Sequence, residues 1–470
     1  MIVTVCCVLA VLVGLWFGVC AWMSRRHPEP IWDWDSIDVS DVEFPNGFLW
    51  GSATAAHQVD GGNDNNNWAR WEKSFDENGR PRVHNGDSAG SAVEHWERFP
   101  DDIQRMRNDL GLKSYRFSIE WSRVEPKQGQ YDPEAIAHYH DLIDALIEAG
   151  MEPMITLHHF TNPLWFEDLG GFEPEENIAH FVAFSKRMFE EYGSKVSRWC
   201  TINECGPYAV MGYGLGVFPP GIKNFQRMSV VLYHLMRAHT AVYDAIKAMP
   251  GGSEVQVGLV KNIFQFDPYS RWNVFHWMLC RMADGAYNQS IIGYLQTGRF
   301  RVSMPFFAKL DRSHPEDALK SDFVGLNYYS NLILSLFMKR EPPFEPHARK
   351  GQVLTDMPYA IYAEGFYRAF MRLKPLGKPI IVTENGIADD RDDRRALWIR
   401  RYVYAMSQAI KDGADVRGYH YWSLIDNFEW AEGWQMAFGL YANNRETQER
   451  RLRDGSLAYR DIVAEWSNDA

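Results

Sequence analysis

The stretch "SRWCTINE" (residues 197–204) runs through Trp199, Cys200, Thr201 and Ile202 and ends on Asn203 and Glu204. A short run rich in aromatic and β-branched residues, set between helical patterns, reads as a buried strand. A carboxylate at its tip needs a partner, because glutamate is almost never buried unpaired. Seven further stretches have the same form: "FLWGSATAA" (48–56), "SYRFSIEW" (114–121), "EPMITLHH" (152–159), "VQVGLVKN" (255–262), "DFVGLNYYS" (322–330), "PIIVTENG" (379–386) and "VRGYHYWSL" (416–424). Amphipathic stretches lie between them. In "PEAIAHYHDLIDALIEAG" (133–150), Tyr139, Leu142, Ile143, Leu146 and Ile147 keep the spacing of one helical face, and Gly150 ends it. Eight strands alternating with helices predict an α/β fold, a parallel sheet closed into a (β/α)8 TIM barrel. A doubly wound open sheet is the other architecture that such alternation allows. A body of about 425 residues is long for a barrel, so several βα loops are expected to be enlarged.

A barrel places its chemistry at the C-terminal ends of the strands. Polar and ionisable residues gather there: Gln58, Glu120, His158, His159, Asn203, Glu204, Asn327, Tyr329, Glu384 and Asn385. Glu204 closes the fourth strand and Glu384 the seventh, so both can converge across the mouth. Two carboxyl groups flanking one bond are the equipment of glycoside hydrolysis: one donates a proton and the other is ionised. Mutual repulsion and burial raise one pKa, while a neighbouring cation lowers the other. Arg116, mid-strand and inward by alternation, is the natural cation for Glu384; a buried ion pair in the lower barrel is the alternative.

The motifs "WCTINE", "VTENG", "YRFSIEWSRVEP", "GLNYYS" and "YWSLIDNFEWAEGW" closely resemble those of family 1 glycoside hydrolases, the β-glucosidase family. The resemblance runs from about Phe44 to the C-terminus, with the motifs in the family's order. It implies double displacement with retention by an exo-acting β-glycosidase, Glu204 as acid/base and Glu384 as nucleophile. By the same resemblance Asn203 contacts the sugar 2-hydroxyl, and Tyr329 steadies the nucleophile beside Arg116. Gln58, His159, Asn327, Glu429 and Trp430 fall on sugar-contacting positions, Trp422 on the platform beneath the ring and Phe438 on an apolar wall. The chain departs from the family pattern at Cys205 (proline), Phe160 (tryptophan), Asp60 (glutamate) and Ala437 (arginine). None removes a catalytic group; together they bear on glycon preference. Glu429 argues against 6-phosphosugar substrates, and Glu204 against the plant thioglucosidases, which carry glutamine there.

The balance of 49 Lys+Arg against 61 Asp+Glu, net −12, excludes a basic footprint for nucleic acid. No charged residue occurs from Ile2 to Met23, a run of about 20 residues that can cross a bilayer as a helix, and Arg25 and Arg26 follow. A charged n-region and short core, the marks of a cleaved signal, are missing. The expected organisation is an anchor over residues 1–26, a Trp- and Asp-rich linker over 27–43, and the hydrolase domain over 44–470. The basic pair places that domain on the cytoplasmic side. Cys200, Cys205 and Cys280, the cysteines of the body, have neither disulfide nor zinc spacing and read as free thiols.

Three further stretches carry less. "GYGLGVFPPG" (212–221) follows no strand and runs into two prolines, so it reads as a rim loop rather than a nucleotide loop. His158 and His159 are adjacent in a strand and face opposite sides, which is wrong for metal, and "NDNNNWARWE" (63–72) lacks a calcium-loop glycine. No metal or cofactor is expected. "WNVFHWMLCRM" (272–282) reads as a core helix, with a membrane-facing lip as the alternative. Two other functions compete: a membrane-bound transglycosylase acting on glycolipids, and a non-catalytic sugar-binding module, which the two intact glutamates disfavour. Oligomeric state is not legible.

Overall fold

The computed structural model describes residues 2–336 and 348–467. Its centre is a closed barrel of eight parallel strands: β1 (Leu49–Ala53), β2 (Ser114–Ser118), β3 (Glu152–His158), β4 (Arg198–Asn203), β5 (Gln256–Asn262), β6 (Phe323–Asn327), β7 (Ile380–Asn385) and β8 (Val416–Trp422). Each strand pairs with its neighbours in chain order, and β8 closes on β1 through Leu49↔Gly418 to Ala53↔Trp422. All eight coincide with the stretches expected from sequence, so the open-sheet alternative falls. Met154, Cys200, Val260, Phe323 and Ile381, one from each of β3 to β7, pack together as an apolar cluster of their own.

The helices follow from local chemistry. Pro133–Glu148 starts where the Asp132 side chain accepts from the amides of Glu134 and Ala135, with proline pre-set in the first turn. It buries Ile136, Tyr139, Leu142, Ile143 and Leu146 and stops before Gly150, whose φ is +71°. Ile147, assigned to the same face by spacing, is exposed instead. Five contacts already cover the stripe, and Ile147 falls at its edge.

The strands that carry the two glutamates lose regular pairing as they reach them. β4 slips against β5 between Cys200 and Asn203; β7 slips against β6 between Val382 and Glu384, and against β8 between Val382 and Asn385. Such irregularities re-aim side chains at barrel rims. The enlarged loops include a parallel pair, Gln265–Pro268 with Asn331–Leu334, and an antiparallel hairpin, Arg299–Met304 with Ala308–Ser313.

Outside the barrel, Ile2–Arg26 is one helix, apolar enough over its length to cross a membrane and with none of its most apolar window buried. Residues 27–43 lie along the body: the Trp32 amide and the Trp34 indole donate to Glu364 at 2.9 and 3.0 Å, and Glu29 pairs with Arg349 at 2.7 Å. The 272–282 stretch is not a core helix. Val274–Asp284 buries His276, Trp277 and Cys280, but Trp272, Phe275 and Met278 stand exposed.

Candidate active site

Glu204 is the first residue after β4, in the left-handed region at φ 49°, ψ 65°, and Cys205 behind it begins the short helix Cys205–Ala209. A non-glycine residue held there is a local strain that the surrounding structure must maintain. The carboxyl is held from two sides: Asn327 at the end of β6 donates to Oε1 at 2.7 Å, and Asn262 at the end of β5 donates to the same oxygen at 2.9 Å. Burial and the Glu384 carboxylate raise its pKa to about 7.

Glu384 is built differently. Arg116, fully buried, donates from Nη1 to Oε1 at 2.7 Å, and the Tyr329 hydroxyl donates to Oε2 at 2.8 Å. The guanidinium also reaches Thr156 on β3 at 3.0 Å and Asn203 on β4 at 2.8 Å. It therefore serves the mouth, not a bottom-layer ion pair. Arg116 lowers the Glu384 pKa as expected, but burial outweighs it and the net direction is upward. The asymmetry survives, because the cation and the phenol offset burial at Glu384, whereas neutral amides do most of that at Glu204. One continuous chain joins the pair: Glu204, Asn327, Asn203 (3.3 Å), Arg116, Glu384.

The remaining expected residues line the same mouth. His159 Nε2 lies 3.1 Å from Asn203 Nδ2 and 3.9 Å from Glu384 Oε1. Burial and Arg116 push its pKa well down, so the ring is neutral. It stacks at 5.8 Å on Trp422 and at 6.1 Å on Trp430. Gln58 Nε2 donates to the Phe428 carbonyl at 2.8 Å and to Glu429 Oε2 at 3.2 Å. Phe438 meets the Tyr329 ring edge-on at 5.9 Å. Gln58 Oε1 and His159 Nδ1 are buried with no hydrogen-bond partner among the described residues. Buried polar atoms are rarely left so, and unpaired acceptors and donors in a mouth suit hydroxyls. Glu429 is half-buried, and burial with the Glu384 and Glu432 carboxylates raises its pKa to about 8.

Other polar strand ends prove structural. Glu120 accepts from Ser122 and Thr161, His158 turns away to Asn162 at 2.9 Å, and Asn385 donates to the Tyr328 carbonyl. Sequence reading passed over the end of β5. There Asn262 holds Glu204, Tyr287 donates to Asn262 Oδ1 at 2.9 Å, and the buried Lys261 ammonium sits 4.2 Å from the Tyr287 ring centre. The signal was present: "VKN" ends a strand on polar residues like its neighbours.

Residues 40–467 match the model of glycosyl hydrolase family 1. Beta-glucosidase A of Acetivibrio thermocellus is 30% identical over 462 residues, covering 90% of this chain and 99% of the relative. A 6-phospho-beta-galactosidase of Leptotrichia buccalis is also 30% identical, over 468 residues covering 89% and 98%. The solved structure of a beta-glycosidase from Pyrococcus horikoshii aligns with TM-score 0.78 at 35% identity, covering 90% of this chain and 95% of that one. With the closed barrel and the paired carboxyls at its mouth, this match over almost the whole body shows that the chain belongs to glycosyl hydrolase family 1.

Proposed function

We propose that this retaining β-glycosidase uses Glu204 as acid/base and Glu384 as nucleophile on an O-linked β-glycoside bound as the terminal sugar. The observation that carries the assignment is the difference between the two carboxyl environments: a guanidinium and a phenol on Glu384, two side-chain amides on Glu204. In the first step Glu384 attacks the anomeric carbon while Glu204 gives its proton to the departing oxygen. The glycosyl ester removes the negative charge from Glu384, which is one of the two influences holding Glu204 up. Glu204, now ionised and less repelled, takes a proton from water, which attacks the anomeric carbon, breaks its bond to the Glu384 carboxylate and releases the sugar with retained configuration. Arg116 keeps the nucleophile ionised and oriented, and Tyr329 holds its second oxygen. Asn203 is presented to the sugar 2-hydroxyl by Arg116 and His159.

Asn327 aims Glu204, while Gln58, His159, Glu429 and Trp430 read hydroxyls and Trp422 carries the sugar face, with Phe438 as an apolar wall. Glu384, Glu432 and Glu204 are the charges that raise the Glu429 pKa. A 6-phosphate in that negative field is disfavoured, so a neutral glycon such as β-glucose is the expected substrate. The helix Ile2–Arg26 serves as the bilayer anchor of the 44–470 domain, and Arg25 and Arg26 favour a cytoplasmic body. The anchor also favours a second reading, transfer of the sugar to a lipid-linked acceptor. Product analysis with a glycolipid as sole substrate separates them: free monosaccharide alone removes the transferase.

Leaving-group dependence tests the assignment. Glu384→Gln should abolish turnover of every β-glycoside. Glu204→Gln should lose on the order of 10²–10⁴-fold on an alkyl glycoside and almost nothing in the first step on a dinitrophenyl glycoside, which departs unprotonated. Equal losses on both substrates for both variants would show the roles misassigned.

A further inference from the structure

The apolar surface beside the N-terminal helix is a built one. Trp272, just ahead of the helix, is 59% exposed, and Phe275 and Met278, three positions apart on the helix Val274–Asp284, are 48% and 61% exposed. On its other side the same segment buries Trp277 against Cys20 and Met23, with Trp16 and Val274 packed alongside. The contact has a definite register. The Trp16 indole donates to the Trp272 carbonyl at 2.7 Å, Trp16 meets Phe275 edge-on at 5.4 Å, and Phe17 lies 5.9 Å from Trp272. Towards the body the contact becomes polar: Arg271 donates to the carbonyls of Ser24 and His27 at 3.1 and 2.7 Å and pairs with Glu29, which Arg349 also holds.

That register fixes depth. Phe17 and Arg26 are nine positions apart, about 14 Å along a helix. With Arg25 and Arg26 at the head groups, the polar collar of Arg271, Glu29 and Arg349 shares their level. Trp272 directly follows Arg271 of that collar, so Trp272 and Phe275 lie between the head groups and the Phe17 level, at most about 14 Å in and within the outer half of a hydrocarbon layer about 30 Å thick. Tryptophan at that boundary is the side chain favoured there. We propose that the exposed face formed by Trp272, Phe275 and Met278 enters the same bilayer that Ile2–Arg26 crosses, and so fixes the barrel with the β5 side of its mouth against the lipid. The inference rests on the reading of Ile2–Arg26 as an anchor. The link to the mouth is covalent: Val274–Asp284 continues without a break to Tyr287, which contacts Asn262 and through it Glu204. From Phe275 to Tyr287 is twelve positions, about 18 Å of helix.

The test uses the full chain in phosphatidylcholine nanodiscs made with or without lipid brominated near the top of its acyl chains, a short-range quencher of indole fluorescence. Trp272→Phe should lower the quenchable fraction by roughly a third, three lipid-facing indoles (Trp16, Trp22, Trp272) becoming two. Equal quenching in the two proteins overturns the proposal. So does burial of the patch against a second copy, read as a dimer in the disc whose Trp272 is unquenched. Flotation of the wild type with vesicles after a carbonate wash is read in parallel. If the protein washes off, the anchor itself fails; if it floats and Trp272 is unquenched, only the docked face fails. A second variant, Phe275→Ser with Met278→Ser, should keep its turnover of a soluble nitrophenyl glucoside and lose severalfold on an alkyl glucoside embedded in vesicles. Equal activity ratios in variant and wild type contradict the proposal.

Discussion

At the scale of single residues, the site works by giving two chemically identical side chains unlike surroundings. Glu204 titrates at about 7, so kcat/KM should fall as pH rises through that value, where the acid loses its proton. Lys261, pushed down to about 7 by burial and by Arg372, is faced by Glu204, Cys205, Asp284 and Tyr287. Its positive charge favours the Glu204 carboxylate and lowers that pKa. Lys261→Met should therefore move the alkaline limb to higher pH, and Lys261→Arg should hold it near or below the wild-type position. A variant that loses rate with an unmoved limb would mean that Lys261 only packs. Glu429→Ala should cost about 1–3 kcal/mol in kcat/KM, the range when a buried hydrogen-bonding group loses its partner. The loss should fall on the preferred epimer, measured across chromogenic glucoside, galactoside, fucoside and mannoside; a uniform loss would deny Glu429 a role in reading the sugar.

At the scale of elements, the strand ends set the geometry. A Cβ at Gly386 would stand 1.6 Å from the Trp422 carbonyl oxygen, so β7 and β8 approach there as only glycine permits. Gly386→Ala should separate the two ends, lowering both thermal stability and kcat/KM; unchanged kinetics would show that the spacing is not held at this point. All eight barrel strands were legible, because each is a short β-branched or aromatic run that ends on polar residues. The pair of glutamates was legible for the same reason. The end of β5 was missed because Lys261 and Asn262 act through Glu204 rather than on a bond of their own. The 272–282 stretch misled because periodicity reports which residues are apolar and not what covers them: Trp277 is buried against Cys20 and Met23, while Trp272 stands 59% exposed. Ile147 shows the converse, an apolar residue in the right period at the edge of a stripe already filled.

At the scale of the whole molecule, the barrel and the N-terminal helix have separable tasks: among the described residues, Ile2–Arg26 is held through Arg271, Trp272, Val274, Phe275 and Trp277, away from the strand ends that carry the mouth. A protein starting at His27 should turn over a soluble nitrophenyl glucoside within about twofold of wild type. It should lose about 1–3 kcal/mol of stability, the cost of uncovering one large side chain, here Trp277. Loss of activity in a folded truncation would contradict that separation. The account of the whole reaction rests on a covalent glycosyl-enzyme through Glu384, formed with and resolved by Glu204. The most direct measurement is peptide mass mapping of the Glu204→Gln protein after mixing with a dinitrophenyl β-glucoside. The account predicts a burst of dinitrophenolate and a glycosyl ester on the peptide that contains Glu384, at that residue. A glycosyl ester on any other residue, or steady turnover to the inverted sugar with no ester at all, would contradict it.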